Sequence, residues 1–193
     1  MGAIISGSKG KEKEEELVVV FPSYYIAEVD LALEDCVRAR ESWLLIVEDS
    51  SPEFQAKKAT LQASSCVSWF YDSFYDRLFQ VAASTRPLFK NDMAVQGKAL
   101  VKMITAALGL LNETTQLVEA LQGLAKGHAD KGVVSSQYGV VGETLLWTLA
   151  KVLGAAFTDD VKTSWLKIYC VMLSVILPAA IEEEKRIRAA KKG

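Results

Sequence analysis

Side chains that could hold a metal ion are scarce in this sequence. It contains one histidine, His128, and three cysteines, Cys36, Cys66 and Cys170, which lie far apart and form no CxxC pair. A structural zinc site needs about four such ligands at short spacings, so the sequence argues against one. Dispersed cysteines in odd number fit reduced thiols, and no apolar signal-peptide segment follows the start, so we expect a cytoplasmic protein.

An excess of either charge is also missing. The chain has 22 lysines and arginines against 24 aspartates and glutamates, a formal net charge of −2, and its basic residues do not cluster with aromatic ones. This pattern gives no reason to expect nucleic acid as a partner. The longest apolar run, residues 168–180, contains Pro178 and falls short of the ~20 residues of a membrane span, which indicates a buried helix.

Hydrophobic residues at helical spacing are abundant, whereas strand patterns are few. Half of the 193 residues are hydrophobic and 24% are charged, as in a globular domain with a sizeable core. We expect an all-α fold with one domain over residues 26–190. Outside the region around His128, helices are predicted at residues 26–48, 66–82, 92–111 and 159–189.

The first of these helices is predicted to bury Val29, Leu33, Val37 and Leu44 along its apolar side. Pro52 ends it, and residues 51–65 then form a connection whose shape the sequence does not predict.

Residues 1–25 are predicted to be a flexible tail. Met1-Gly2-Ala3-Ile4-Ile5-Ser6 fits the N-myristoylation pattern, in which Gly2 is acylated once Met1 is removed. A single acyl chain binds membranes only marginally, and acidic residues in the tail largely cancel its lysines. We therefore expect weak, reversible membrane association, and the alternative is an unmodified, solvated tail.

The region from Leu117 to Leu149 carries the strongest functional pattern. Leu117, Leu121 and Leu124 recur at helical spacing, and His128 is the next residue on that stripe. A break with glycine and serine follows, and Tyr138 then stands near the start of a second helix. A single imidazole on an apolar stripe is typical either of a buried ligand for one metal centre or of a core histidine bonded to a neighbour.

The same region resembles a known family. KGHADKGVVSSQYGVVGETLLWTL is similar to the proximal half of bacterial-type single-domain globins and of the haem domain of flavohaemoglobins, in which a tyrosine follows the histidine by ten residues. Upstream, the run FYDRLF at residues 74–79 is similar to another motif of that family, and Phe89 matches its haem-stacking phenylalanine. The resemblance covers residues 30–185 and implies a three-on-three helical sandwich with an N-terminal extension, binding haem b.

On the proximal side, the resemblance implies that His128 is the iron ligand and that Tyr138 and Glu182 form hydrogen bonds around it. Such partners orient the imidazole and increase its electron donation. To align Glu182 with the glutamate of that family, the comparison has to cross Pro178 and a difference of two residues in chain length. The alternative is a solvated glutamate in an acidic run.

On the distal side, Tyr75 and Gln96 match the pair that contacts the bound gas, and both side chains can donate a hydrogen bond. Gln96 also interrupts an otherwise apolar helix stripe, where an unpartnered amide costs roughly 1–3 kcal/mol. The alternatives are a helix-packing aromatic for Tyr75 and a partly exposed amide for Gln96. The other predicted pocket residues are Phe89, Leu100, Ile104 and Val141.

Together, these features predict a haem protein that binds oxygen, nitric oxide and carbon monoxide. We expect a five-coordinate iron, because the sequence contains no second histidine that could be its sixth ligand. If the protein is an enzyme, it resembles a nitric oxide dioxygenase or a peroxidase-like oxidoreductase. A separate reductase would serve it, because the chain carries no glycine-rich phosphate loop. The main alternative is a non-enzymatic, membrane-associated oxygen or nitric oxide sensor or carrier. A third is a globin fold that has lost haem and binds other proteins.

Overall fold

The computed structural model describes residues 19–90 and 92–191 of the chain. Gly2 and its predicted acylation lie outside these residues and stay a prediction. Within the described residues the chain forms seven α-helices and no strand, which confirms the predicted all-α fold. The helices are α1 (Leu33–Val47), α2 (Pro52–Lys57), α3 (Cys66–Val81), α4 (Met93–Gly109), α5 (Thr114–Ala129), α6 (Gln137–Leu153) and α7 (Asp159–Ala190), with short 3-10 helices at Ala83–Leu88 and Gly154–Ala156.

The helices form the three-on-three sandwich that the resemblance implies. Helix α6 packs against both α3 and α7, and these three form one layer. Helices α1 and α5 pack against α7, and α4 packs against α3, so α1, α4 and α5 form the other layer. Helix α7 runs without interruption through Pro178. Its apolar segment is long enough to cross a membrane, but 56% of that segment is buried in the fold, as in a core helix.

Helix α1 differs from its prediction in both its start and its buried face. It begins at Leu33 rather than residue 26, because the Asp35 carboxylate accepts the N–H of Ala32 at 3.1 Å and caps the first turn. The predicted apolar stripe was wrong: Leu33 is 63% exposed and Leu44 48% exposed. The buried apolar residues are Cys36, Ala39, Trp43 and Ile46.

The N-terminal segment, which we define as residues 19–32, packs against the helices. Phe21, Tyr24 and Tyr25 are partly buried against the hydrophobic core, although the sequence assigned them to the tail. Part of the predicted tail therefore contacts the helical domain.

The connection at residues 51–65 contains the short helix α2. Ser51 caps that helix by accepting the N–H of Phe54, and its hydroxyl donates to the carbonyl of Val152 at 2.6 Å. The connection is thus fixed to the end of α6, away from the first turn of α6 where Tyr138 lies.

Candidate functional site

A tight turn after α5 returns the chain to His128. The carbonyl of His128, in the last turn of α5, accepts the N–H groups of Lys131 and Val133, each at 3.0 Å. Gly132 has a φ of +88°, a conformation that glycine adopts without the steric cost of a Cβ. The reversal brings Tyr138, in the first turn of α6, beside the histidine.

His128 forms a pair with Tyr138. Nδ1 of the imidazole lies 3.1 Å from Oη of the phenol, and Tyr138 is 6% exposed. Burial, with a smaller contribution from Lys131, lowers the pKa of His128, so the ring is neutral at physiological pH. Burial and Glu184 raise the pKa of Tyr138, which keeps the phenol protonated. Because Nδ1 is engaged, Nε2 is the nitrogen available to a metal.

The glutamate near this pair is Glu184 and not the predicted Glu182. Glu184 is 9% exposed, its carboxylate accepts the N–H of Ser135, and its charge acts on Tyr138. Glu182 is exposed and borders a groove between α5 and α7. The two glutamates are two residues apart on α7, which corresponds to a rotation of about 200° around the helix axis. For this reason one side chain points inward and the other outward.

An apolar cleft with a cavity volume of about 50 Å³ lies among α3, α4, α6 and α7. The predicted wall residues Leu100, Ile104 and Val141 meet here. None of the side chains that line the cleft is charged. The other lining residues are Phe74, Met103, Ala107, Leu108, Leu145, Trp165, Ile168, Tyr169 and Met172.

A second apolar groove lies between α4 and α5. It adjoins the cleft, because Met103 and Ala107 line both. On the α5 side the groove is lined by a row of leucines that ends at Leu124. His128, one turn further along α5, continues this row. Helices α4 and α5 make few contacts with each other, and the groove between them is lined by apolar side chains.

Tyr75 on α3 follows the cleft residue Phe74 and lies within an aromatic cluster. Its ring stacks on Phe79 and meets Phe74 and Phe89 edge-on, with ring centroids 5.2 Å apart in each of the edge-on pairs. Its hydroxyl donates to the backbone carbonyl of Gln96 at 3.3 Å. Burial raises the pKa of Tyr75 to about 12, so the hydroxyl remains a neutral donor.

Gln96 is half-buried in the first turns of α4, and the structure brings its backbone, rather than its amide group, to Tyr75. The next residue, Gly97, is buried, and a Cβ at that position would overlap the ring of Tyr71. Helices α3 and α4 therefore approach closely beside Gln96 because residue 97 has no side chain.

The family model for globins matches residues 72–176, more than half of the chain. The chain belongs to the globin family. This globin is similar to the flavohemoprotein of Rhizobium meliloti, with 30% identity over 123 residues, 62% of this chain and 30% of that protein. It is 27% identical over 107 residues to the flavohemoprotein of Bacillus subtilis, 54% of this chain and 27% of that protein.

Neuroglobin of Danio rerio is 32% identical over 74 residues, 38% of this chain and 46% of that protein. This globin spans less than a third of the flavohemoproteins that it matches.

Membership of the globin family implies haem as the cofactor, and the residues present fit it. In the described ranges, 19–90 and 92–191, no three histidine, cysteine, aspartate or glutamate side chains come together to hold a bare metal ion. Haem iron does not need such a cluster, because the porphyrin supplies its equatorial ligands and one imidazole suffices from the protein. In this globin the neutral imidazole of His128 would hold the iron, and the apolar groove between α4 and α5 would receive the ring.

Sequence reasoning missed several residues around the site. Met103 and Leu145 line the cleft but were not among the predicted pocket residues, because only the packing shows that their two helix faces turn to the same cleft. Glu184 carried no signal that separated it from its acidic neighbours. For the close approach of α3 and α4, the sequence did carry a signal, which is the glycine at position 97, directly after Gln96 on the inner side of α4.

Proposed function

We propose that this globin binds oxygen and other diatomic gases at a haem b iron whose only protein ligand is His128, and that it catalyses nitric oxide dioxygenation. The observation that supports this most directly is the His128–Tyr138 pair, whose imidazole stands one turn beyond the leucines of α5 that line an uncharged groove.

Tyr138 sets the chemistry of the imidazole. With Nε2 of His128 as the nitrogen that would hold the iron, the ring proton would be on Nδ1, and that N–H would donate to the phenol oxygen of Tyr138. The hydrogen bond fixes the plane of the ring and strengthens its electron donation. Stronger donation favours ferric iron and reaction of oxygen over reversible storage.

On the other side, we take Tyr75 as the donor to the bound gas, and the amide of Gln96 stays a predicted second donor. The hydrogen bond from Tyr75 to the carbonyl of Gln96 is 3.3 Å long, beyond the usual 2.5–3.0 Å of roughly linear O–H···O bonds. Such a long bond is weak, so the hydroxyl can turn to a better acceptor at small cost. A gas ligand that gains negative charge is such an acceptor in a pocket with little water.

Haem, when bound, supplies an iron that binds diatomic gases and exchanges single electrons. Nitric oxide, oxygen and one electron together give nitrate, so each turnover consumes one electron. We take a separate reductase as the donor. The role of the protein is to hold the imidazole, exclude water from the apolar cleft and keep the phenol of Tyr75 protonated.

Absorption spectra of the purified protein, ferric and ferrous, with and without carbon monoxide, test the haem assignment. We expect a five-coordinate ferrous spectrum that carbon monoxide converts to a six-coordinate one. His128→Ala should lose most of the bound haem, because no other histidine can replace the ligand. The matched control is Lys126→Ala, an exposed position on the same helix. Unchanged haem content and spectrum in His128→Ala would overturn the assignment.

Nitrate formation from nitric oxide and oxygen, with a generic flavin reductase present, tests the reaction. We expect catalytic nitrate production that depends on the reductase and is lost in His128→Ala. Turnover no faster than that of a simple oxygen-storage globin would reject the dioxygenase activity while leaving gas binding intact, and a sensor or carrier would then be the better description.

A further inference from the structure

The N-terminal segment is attached to both α6 and α7 by hydrogen bonds. The hydroxyl of Tyr24 donates to the carbonyl of Gly139 in the first turn of α6 at 2.7 Å. The N–H of Ile26 donates to Sγ of Cys170 on α7 at 3.4 Å. Burial raises the pKa of Tyr24, with a further contribution from Glu143, so its hydroxyl stays a donor. The segment precedes the part of the chain that the family model matches.

Two glycines shape α6 to receive the segment. A Cβ at Gly142 would overlap the hydroxyl of Tyr24 and the ring of Tyr169. A Cβ at Gly139 would come within 3.2 Å of the Cβ of Pro22. Neither glycine has a positive φ, so the backbone conformation does not require glycine there. At Gly142 the close approach of Tyr24 from the segment and of Tyr169 from α7 leaves no room for a Cβ, and at Gly139 the contact with Pro22 would be tight.

The same turn of α6 carries the tyrosine that contacts the imidazole. The carbonyl of Tyr138 accepts the buried hydroxyl of Tyr169 at 2.7 Å, and the next carbonyl, that of Gly139, accepts the hydroxyl of Tyr24. Two phenols thus hold consecutive carbonyls of one turn. The side chain of Tyr138 leaves that turn and reaches Nδ1 of His128 at 3.1 Å.

We propose that Tyr24 is a positioning residue for His128: the N-terminal segment fixes the first turn of α6, and this turn fixes Tyr138 against the imidazole. The inference rests on the proposed function only in taking His128 as the iron ligand. Since coupling between two sites is reciprocal, an event that draws the segment off α6 changes the proximal side of the haem, and a change of iron ligation changes how firmly the segment is held.

The test compares Tyr24→Phe with a matched control in the same segment. Tyr24→Phe keeps the ring and removes only the hydroxyl. Tyr25→Phe is the control, because Tyr25 is adjacent and half-buried and its ring stacks on Phe21 rather than on α6. Amide hydrogen exchange of the apoprotein over residues 138–145 reports the first turns of α6 without haem. The iron–histidine stretching band of the ferrous holoprotein, measured by resonance Raman spectroscopy, reports the imidazole.

For Tyr24→Phe we expect exchange over residues 138–145 to become about fivefold faster, the effect of one ordinary hydrogen bond. We also expect the iron–histidine band to shift and broaden, and Tyr25→Phe should change neither. Tyr169→Phe, which removes the donor to the adjacent carbonyl, should shift the same band.

Faster exchange with an unchanged band would show that the segment only stabilises α6, and the positioning role would be rejected. Unchanged exchange would reject the attachment itself. Absence of the iron–histidine band in the unmodified protein and in all variants would instead contradict His128 as ligand, and the exchange measurement on apoprotein would still report the segment independently.

Discussion

At the scale of single residues, the candidate site contains buried tyrosines that stay protonated at physiological pH. Burial raises the pKa of Tyr75 to about 12 and raises the pKa of Tyr138 as well, so both are neutral donors or acceptors at physiological pH. Their hydrogen bonds differ in strength. Tyr138 lies 3.1 Å from an imidazole nitrogen, whereas Tyr75 makes a 3.3 Å bond to a backbone carbonyl and is the freer of the two.

Replacing Tyr75 by phenylalanine tests the distal role. The variant keeps the aromatic cluster and removes one donor worth about 1 kcal/mol, so oxygen should dissociate roughly fivefold faster in stopped-flow measurements. Tyr71→Phe is the control, because Tyr71 lies one turn earlier on α3 and packs on Gly97. Equal dissociation rates in Tyr75→Phe and the unmodified protein would assign Tyr75 to packing alone.

At the scale of helices, the site depends on one close approach and one gap. Helices α3 and α4 meet closely at Gly97, beside Gln96, while α4 and α5 stay apart and leave the apolar groove between them. The close approach holds the start of α4 against Tyr75. The leucines of α5 line the groove in this gap, and His128 lies one turn beyond them.

Gly97→Ala should therefore lower the free energy of unfolding. Its methyl group would overlap the ring of Tyr71, and overpacking of this kind costs about 1–3 kcal/mol. Gly123→Ala on α5 is the control, since a Cβ there meets nothing within 4 Å, and it should stabilise by about 0.4–1 kcal/mol. Urea denaturation measures both, and a neutral Gly97→Ala would show that α3 and α4 separate easily.

At the scale of the whole molecule, a buried carboxylate ties the first helix to the last. Asp35 of α1 accepts the hydroxyl of Ser164 at 2.9 Å and the ammonium group of Lys167 at 2.8 Å, both on α7. Burial opposes ionisation of Asp35, but these donors and the N–H of Ala32 outweigh it, and the pKa of Asp35 is lowered.

The sign of this shift predicts a pH dependence of stability. A carboxyl group with a lowered pKa in the folded state stabilises the fold above its unfolded pKa of about 3.9, and this contribution is lost as the pH falls through the folded pKa. Asp35→Asn should lower the free energy of unfolding by about 1–3 kcal/mol at neutral pH, with a smaller deficit in acid.

Urea denaturation at neutral pH and below about pH 3 measures the change. Glu34→Gln, at an exposed neighbouring position, is the control and should show little effect at either pH. A deficit in Asp35→Asn that persisted undiminished in acid would contradict the assignment to ionised Asp35.

The sequence by itself determined the helical fold, the family and the position of the single imidazole. The motif around His128 and the FYDRLF run of residues 74–79 are local in the chain, and helical periodicity with their order and spacing is enough to place them. The globin match confirms that interpretation.

The tertiary structure decided which of several similar residues face the site. Val37 and Leu44 looked like an inner stripe, yet they lie exposed, because the partners of α1 meet its other face. Glu182 and Glu184 are alike in sequence, and only the packing of α7 against the turn before α6 buries one of them. Tyr24 gave no sequence signal at all, since its partner Gly139 is 115 positions away. Burial and long-range hydrogen bonds depend on which surfaces meet, and local spacing does not encode that.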